Sequence, residues 1–222
     1  MAAARVIETH ISRVFITPER AYKMLKPVDA GFVDFTDRET RLAATTAEYE
    51  LNRRMAPDVY LGLADVHEGS ELVDRMVVMR TMPADRRLEL LLRELDSARV
   101  GSDAHAQLRE RLCGILTDVA RTVAAFHASC TARSDEGAAM ATRDSVARHW
   151  RGNFDAIEPH VGTVIPPGDF AQVHELANRW LAASGELFAR RIEAGWVRDG
   201  HGDLRAEDIF CLDDGPRILD CL

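Results

Sequence analysis

The sequence has 222 residues, 46% hydrophobic and 29% charged, which suits one large domain or two small lobes around a real core. Its net charge of −8, from 28 basic against 36 acidic residues scattered without a basic run, argues against a nucleic-acid partner, because such proteins neutralise phosphates with clustered cations. No stretch approaches the roughly 18 uninterrupted apolar residues of a membrane span, and neither a signal-peptide core nor a C-x-x-C pair among Cys113, Cys130, Cys211 and Cys221 is found, so the expectation is a cytoplasmic protein with reduced thiols and no membrane partner.

Taken in chain order, Val6 to Val33 is rich in β-branched and aromatic residues. "RVFIT" and "AYKMLKPV" read as two strands joined by a tight turn that contains Pro18. Thr36 or Asp37 can cap a helix from Asp37 to Met55, with Leu42, Thr45/Thr46, Tyr49 and Met55 at helical spacing and Pro57 stopping the run. Strand character returns in "YLGLADVHEGSELVDRMVVMRTMP", a hairpin turning at Glu68-Gly69-Ser70, and a hinge is expected from Met79 to Pro83. Four helices follow, over 84–100, 105–130, 142–161 and 166–195, the last capped by Asp169 and ended by Gly195. Thr131 to Ala139 reads as an exposed loop.

The chemistry concentrates at the end, in "VRDGHGDLRAEDIFCLDDGPRILDCL". Asp203 stands on a glycine-flanked turn, where a carboxylate can point out of the backbone. "IFCL" and "PRILDC" form a hairpin around "DDG", and a hairpin brings its ends together. Asp208, just before the first strand, and Asp220, near the end of the second, therefore fall on one side, with Asp203 on the loop feeding in. Three carboxylates converging on one point stay ionised only with a cation among them, and hard oxygen donors suit Mg²⁺. Asp213 and Asp214 are turn residues.

"HGDLRAED", with the aspartate of "ILDCL" twelve residues on, resembles the catalytic loop and metal-binding strand of aminoglycoside phosphotransferase and choline kinase-like enzymes, relatives of the protein kinases with the pattern H-G-D-x-x-x-x-N. The resemblance implies an α+β, protein kinase-like two-lobe fold. A small β-rich nucleotide-binding lobe with one helix would span 1–82, and a mainly helical lobe with the catalytic hairpin 83–222. Asp203 would be the catalytic base and Asp220 the principal metal ligand. Asp208 stands where the family has Asn and would be the second ligand, while His201 would brace the loop by hydrogen bonding. A strand lysine on the nucleotide phosphates is expected at Lys23, with Lys26 the alternative, and a helix glutamate to hold it at Glu48, with Glu50 the alternative. The phosphate loop falls on Glu8 to Ser12, where no glycine occurs and the Thr9 or Ser12 hydroxyl would contact phosphate. The hinge, with Arg80 and Met82, would face the adenine.

A narrower resemblance, carried also by "ETHISRVFITPERAYKMLKPVDAGFVDF" and "ELNRRMAPDVYLG", is to a bacterial branch of this family often fused to a C-terminal P-loop domain resembling gluconate kinase; no G-x-x-x-x-G-K-[ST] occurs here. The chain stops two residues after Asp220, so the helical lobe is expected to be incomplete and to self-associate through the face left open. The expected function is ATP- and Mg²⁺-dependent transfer of the γ-phosphoryl group to a small-molecule hydroxyl. The alternative is an impaired nucleotide-binding or regulatory module, or a remnant of a larger protein.

Overall fold

Three strands open the chain in the computed structural model, which describes residues 4–31, 33–130 and 135–221: β1 (Arg5–Glu8), β2 (Ser12–Ile16) and β3 (Arg20–Leu25). β1 goes beyond the two strands expected there. It is four residues long, mostly exposed and paired only with β2, so it has no buried alternation for a sequence pattern to reveal. Helix α1 (Arg38–Asn52) follows, shorter at its C-terminus than the expected Met55 limit. Its N-cap is Asp37, whose carboxylate accepts the Thr40 N–H at 2.8 Å. The long hairpin of β4 (Tyr60–Glu68) and β5 (Glu71–Arg80) completes an antiparallel five-stranded sheet in the order β1-β2-β3-β5-β4. Among the described residues the chain is thus mixed α+β.

The buried residues of α1 are Arg41, Thr45 and Asn52. With Glu48 they fall at steps of four, three and four residues, a single helix face. The expected apolar positions Leu42 and Tyr49 are only partly buried. Arg41 is held by Asp74 of β5 at 3.0 Å and by the Phe35 and Thr36 carbonyls at 2.8 and 3.0 Å. Burying a guanidinium is tolerable only with such a full set of acceptors.

Helices α2 (Leu88–Ser97) and α3 (Asp103–Ser129) then pack around a hairpin from the end of the chain, β6 (Ile209–Leu212) and β7 (Gly215–Ile218). The hairpin registers Ile209 with Ile218 and turns at Asp213-Asp214, the two residues assigned to the turn. Strand alternation sends its side chains two ways. Ile209, Cys211 and Ile218 join Leu88, Leu91, Leu112 and Val119 in one cluster. Phe210 and Leu219 join Ala56, Val59, Tyr60 and Val77 in another.

By its packing the chain divides into two units, one of 1–128 with 200–222 and one of 129–199. α2 and α3 fall in the first unit because they pack with the terminal hairpin, whose other face meets Val59, Tyr60 and Val77. The second unit holds α4 (Asp135–Met140), α5 (Arg143–Ile157), α6 (Pro167–Ala183) and α7 (Gly185–Glu193). α4 occupies part of the expected loop Thr131–Ala139, whose residues 131–134 lie outside the described ones. The single helix expected over 166–195 is two. It breaks at Ser184, buried, with ψ near 8°, whose hydroxyl donates to the Trp180 carbonyl at 2.7 Å just before Gly185. Pro167 takes the first helical position and moves Asp169 from the cap into the first turn. The core of this unit centres on Phe154, which meets Trp150, Phe170 and His174. No described helix is long and apolar enough to cross a membrane.

Ile218 is 1% exposed at the centre of its cluster. Ile218→Ala is expected to cost about 2–5 kcal/mol in chemical denaturation. Val100→Ala, at a position 82% exposed, should stay within about 0.5 kcal/mol of the parent.

Candidate functional site

Lys23 lies on β3 between Val14 of β2 and Val77 of β5. Its Nζ is 2.8 Å from Glu48 Oε1 and 3.2 Å from Asp220 Oδ1, so the fold unites residues 197 positions apart. Lys23 and Glu48 are largely covered, whereas about half of the Asp220 side chain, 49%, is open to solvent. Burial acts to lower the Lys23 pKa, but the charges of Glu48 and then Asp220 outweigh it and hold the ammonium above its ordinary value. The alternatives weighed from the sequence point elsewhere. Lys26 reaches the Thr9 carbonyl at 2.6 Å and Glu8 at 3.1 Å, and Glu50 is an exposed residue 4.0 Å from Arg53.

Asp220 is held in an unusual backbone state. Its φ of 60° is left-handed, which a non-glycine residue adopts only where its surroundings require it. The surroundings are visible. The Asp220 N–H donates to the Tyr60 hydroxyl at 3.2 Å. The Cys221 N–H donates to Asn52 Oδ1 at 2.7 Å, and Asn52 Nδ2 donates to the Cys221 carbonyl at 3.1 Å and the Glu48 carbonyl at 2.9 Å. Burial, and then the negative charge of Asp220, push the Tyr60 pKa up, so the phenol stays neutral.

Asp208 ends a 3-10 turn (Ala206–Asp208) that leads into β6, and it is buried. Its carbonyl accepts the Leu219 N–H at 3.0 Å, which ties the two ends of the hairpin. Burial, and then the charge of Asp220, raise its carboxyl pKa, while Arg205 pulls it down. Asp203 is exposed beside Gly202, whose φ of 89° accounts for the glycine there. Arg205 Nε lies 3.3 Å from both Asp203 and Asp208, and its Nη1 lies 2.7 Å from Glu207. The three expected carboxylates therefore do not form one cluster. Asp208 senses Asp220, whereas Asp203 is joined to Asp208 through a guanidinium. Among the described residues no group of three or more His, Cys, Asp and Glu side chains gathers as a metal site. His201 is buried, and its Nε2 donates to the Leu219 carbonyl at 2.8 Å.

The remaining expected positions lie apart from this centre in their contacts. Ser12 is buried, and its hydroxyl meets that of Thr9 at 2.8 Å while its N–H donates to Thr9 Oγ1 at 3.0 Å. The β1–β2 turn is thus closed on itself. Arg80 pairs with Asp58 at 3.0 Å, and Arg217 grips the same carboxylate with Nε at 2.9 and 3.0 Å. Met82 packs against the cluster of Val77 and Phe210. A shallow depression of about 440 Å³ lies at the hairpin turn, lined by Pro83, Arg86 and Asp213 among others, and contains neither Lys23 nor Asp220. Asn52, Tyr60 and Arg205 were not singled out from the sequence as site residues. Asn52 had one available signal, its place four residues after Glu48, while Tyr60 and Arg205 had none beyond their polar groups.

No protein-family model matches the chain. Over 221 residues it is 34% identical to an uncharacterized protein of Mycobacterium bovis and to uncharacterized proteins of two Mycobacterium tuberculosis strains. The similarity takes in 98% of this chain but 41% of each relative, so the chain spans less than half the length of the curated relatives it matches.

The raised Asp208 pKa carries a pH dependence. The folded protein binds this proton more tightly than the unfolded chain does, so the contribution to stability is present at low pH. It is lost as pH rises from the ordinary Asp value of about 3.9 through the raised folded value. In chelated buffer, Asp208→Asn should be more stable than the parent above that window and lose this part of the pH slope. Denaturation midpoints measured from about pH 4 to 7 check it, and an unchanged slope would count against it.

Proposed function

We propose that this chain is an ATP-dependent small-molecule phosphotransferase of the aminoglycoside phosphotransferase and choline kinase-like type, with a kinase-like two-lobe arrangement. The reading rests chiefly on Lys23 Nζ lying between Glu48 and Asp220, at 2.8 and 3.2 Å. A strand lysine clamped by a helix glutamate and facing the aspartate of a terminal hairpin is the arrangement phosphoryl transfer uses to hold nucleotide phosphates. The five-stranded sheet with α1 would be the nucleotide-binding lobe, ending near residue 82.

The residues present suit Mg²⁺. Asp208 and Asp220 are hard oxygen donors close enough for one charge to raise the other's pKa, and half of Asp220 is open to solvent for water or phosphate oxygens. Bound Mg²⁺ would supply neutralisation of the phosphate charge between those two carboxylates. Lys23, kept cationic by Glu48, would bind the phosphates. Asp203, exposed on its turn, would orient the acceptor hydroxyl and take its proton as the hydroxyl oxygen bonds to the γ-phosphorus and the bond to the departing ADP oxygen breaks. Positioning and charge neutralisation would do most of the catalysis. A cytoplasmic setting fits this use of ATP. Because the relatives are more than twice as long, the acceptor and any protein partner belong to the proposal for the whole molecule.

Two observations favour a second reading, a nucleotide-binding regulatory module. The Thr9 and Ser12 hydroxyls bond each other in the turn expected at the phosphates, and Arg205 stands between Asp203 and Asp208.

Calorimetry with Mg·ATP separates these readings. The parent chain should bind, and Asp220→Ala should weaken binding by about 100-fold through loss of the metal link. Asp203→Asn should bind within a few-fold of the parent yet lose about 10²–10⁴-fold in phosphoryl transfer. Folded parent protein that fails to bind Mg·ATP would overturn the proposal. Binding without turnover on any hydroxyl acceptor would leave the regulatory reading in place.

A further inference from the structure

Asn52 is completely buried at the last turn of α1, and its side-chain amide bonds both backbone groups of one residue, Cys221, at 2.7 and 3.1 Å. Two such bonds, one to the peptide on each side of the Cys221 Cα, fix both the position of that residue and its rotation about the chain. The residue immediately before it is Asp220, whose left-handed backbone is secured on its other side by the Tyr60 hydroxyl. One turn earlier on the same helix face, Glu48 holds Lys23, and the Glu48 carbonyl takes the second Asn52 Nδ2 bond at 2.9 Å. The helix that aims the lysine is therefore bonded to the segment that aims the aspartate.

We propose that Asn52, with Tyr60 as its partner, is a positioning residue. It fixes the Asp220 carboxylate in its metal-binding attitude and makes Asp220 and the Lys23–Glu48 pair move together with α1. This inference rests on the phosphotransferase reading. The physical case is that an apolar residue filling the same space would preserve packing but remove the Asn52 bonds to the Cys221 N–H and carbonyl, and so weaken the hold on the Asp220 backbone in the left-handed region. Partners that orient a metal ligand act on metal affinity without touching the metal.

The test uses Asn52→Leu and Tyr60→Phe in the full chain, and the phenylalanine variant removes only the acceptor of the Asp220 N–H. Two quantities are measured by calorimetry, ATP affinity without metal and the Mg²⁺ concentration that half-saturates the gain on adding metal. Each variant should raise the half-saturating Mg²⁺ by about tenfold or more and leave metal-free ATP affinity within about threefold. Amide exchange at Asp220 and Cys221 should speed up while that of β3 and β5 stays protected. A purely structural role would lower the folded fraction and leave the magnesium requirement of the folded protein unchanged. If Asn52→Leu loses protection throughout β3 and β5, Tyr60→Phe decides, and an unchanged magnesium requirement in it overturns the inference. Parent protein that binds Mg·ATP, beside variants that bind it identically, sinks the clamp and spares the phosphotransferase reading. Parent protein that binds no Mg·ATP defeats that reading and this one with it, before any variant is made.

Discussion

The buried face of α1 is polar, and that constraint organises the first packing unit. Arg41, Thr45, Glu48 and Asn52 line it, and polar groups withdrawn from water are costly unless each finds a partner. Three of the four find theirs on three different elements. Arg41 is tied to Asp74 of β5, Glu48 to Lys23 of β3, and Asn52 to the backbone of Cys221 beyond β7. Thr45 Oγ1 is the exception, without a partner among the described residues. An apolar face would tolerate sliding of the helix by a fraction of a turn at small cost. Directional bonds in a low dielectric do not, so α1 holds these elements in one register.

The terminal hairpin supplies the other half of the arrangement. Its two faces are buried in different clusters, with Ile209, Cys211 and Ile218 toward α2 and α3, and Phe210 and Leu219 toward Val77 and Tyr60. A strand buried on both sides cannot rotate or slip by one residue without exchanging its two faces. That fixes where the chain leaves β7, and it leaves there in the left-handed conformation of Asp220. Apolar packing thus sets the address of the carboxylate, and hydrogen bonds with Tyr60, Asn52 and His201 set the local backbone. The charges follow from that placement. Asp208 is buried with Arg205 at 3.3 Å, and the half-open Asp220 faces Lys23.

These two layers separate what is proposed from what is incidental. Ion pairs such as Arg38–Glu71 and Arg121–Asp118 lie on exposed surface, where solvent screens them to little net effect. The Lys23–Glu48 pair is mostly covered, and its lysine also faces Asp220 from the other end of the chain. A covered charge linking three elements is a stronger pointer to a site than any count of surface pairs.

Much of the secondary structure was legible in the sequence because its signals are local. The β4–β5 hairpin shows in its apolar runs and the turn before Glu71, and the terminal hairpin in "DDG" between "IFCL" and "PRIL". Asp220 was nameable from the hairpin itself, and Lys23 and Glu48 only through a resemblance, since nothing local marks a lysine and a glutamate as partners. The break at Ser184 and the edge strand β1 escaped because a buried serine and a four-residue exposed strand carry no periodic signal. Of the inward face of α1, Arg41 and Asn52 also escaped, since hydrophobic periodicity locates apolar faces and this one is polar. The sequence by itself determined most of the elements and turns and the supply of carboxylates near the C-terminus. Tertiary structure alone decided that Lys23 selects Glu48 and Asp220 over their neighbours, that Asp203 meets Arg205 and not the other two aspartates, and that Asn52 grips Cys221. Those are contacts between residues far apart in the chain, settled by packing and by the need of each buried polar group for a partner.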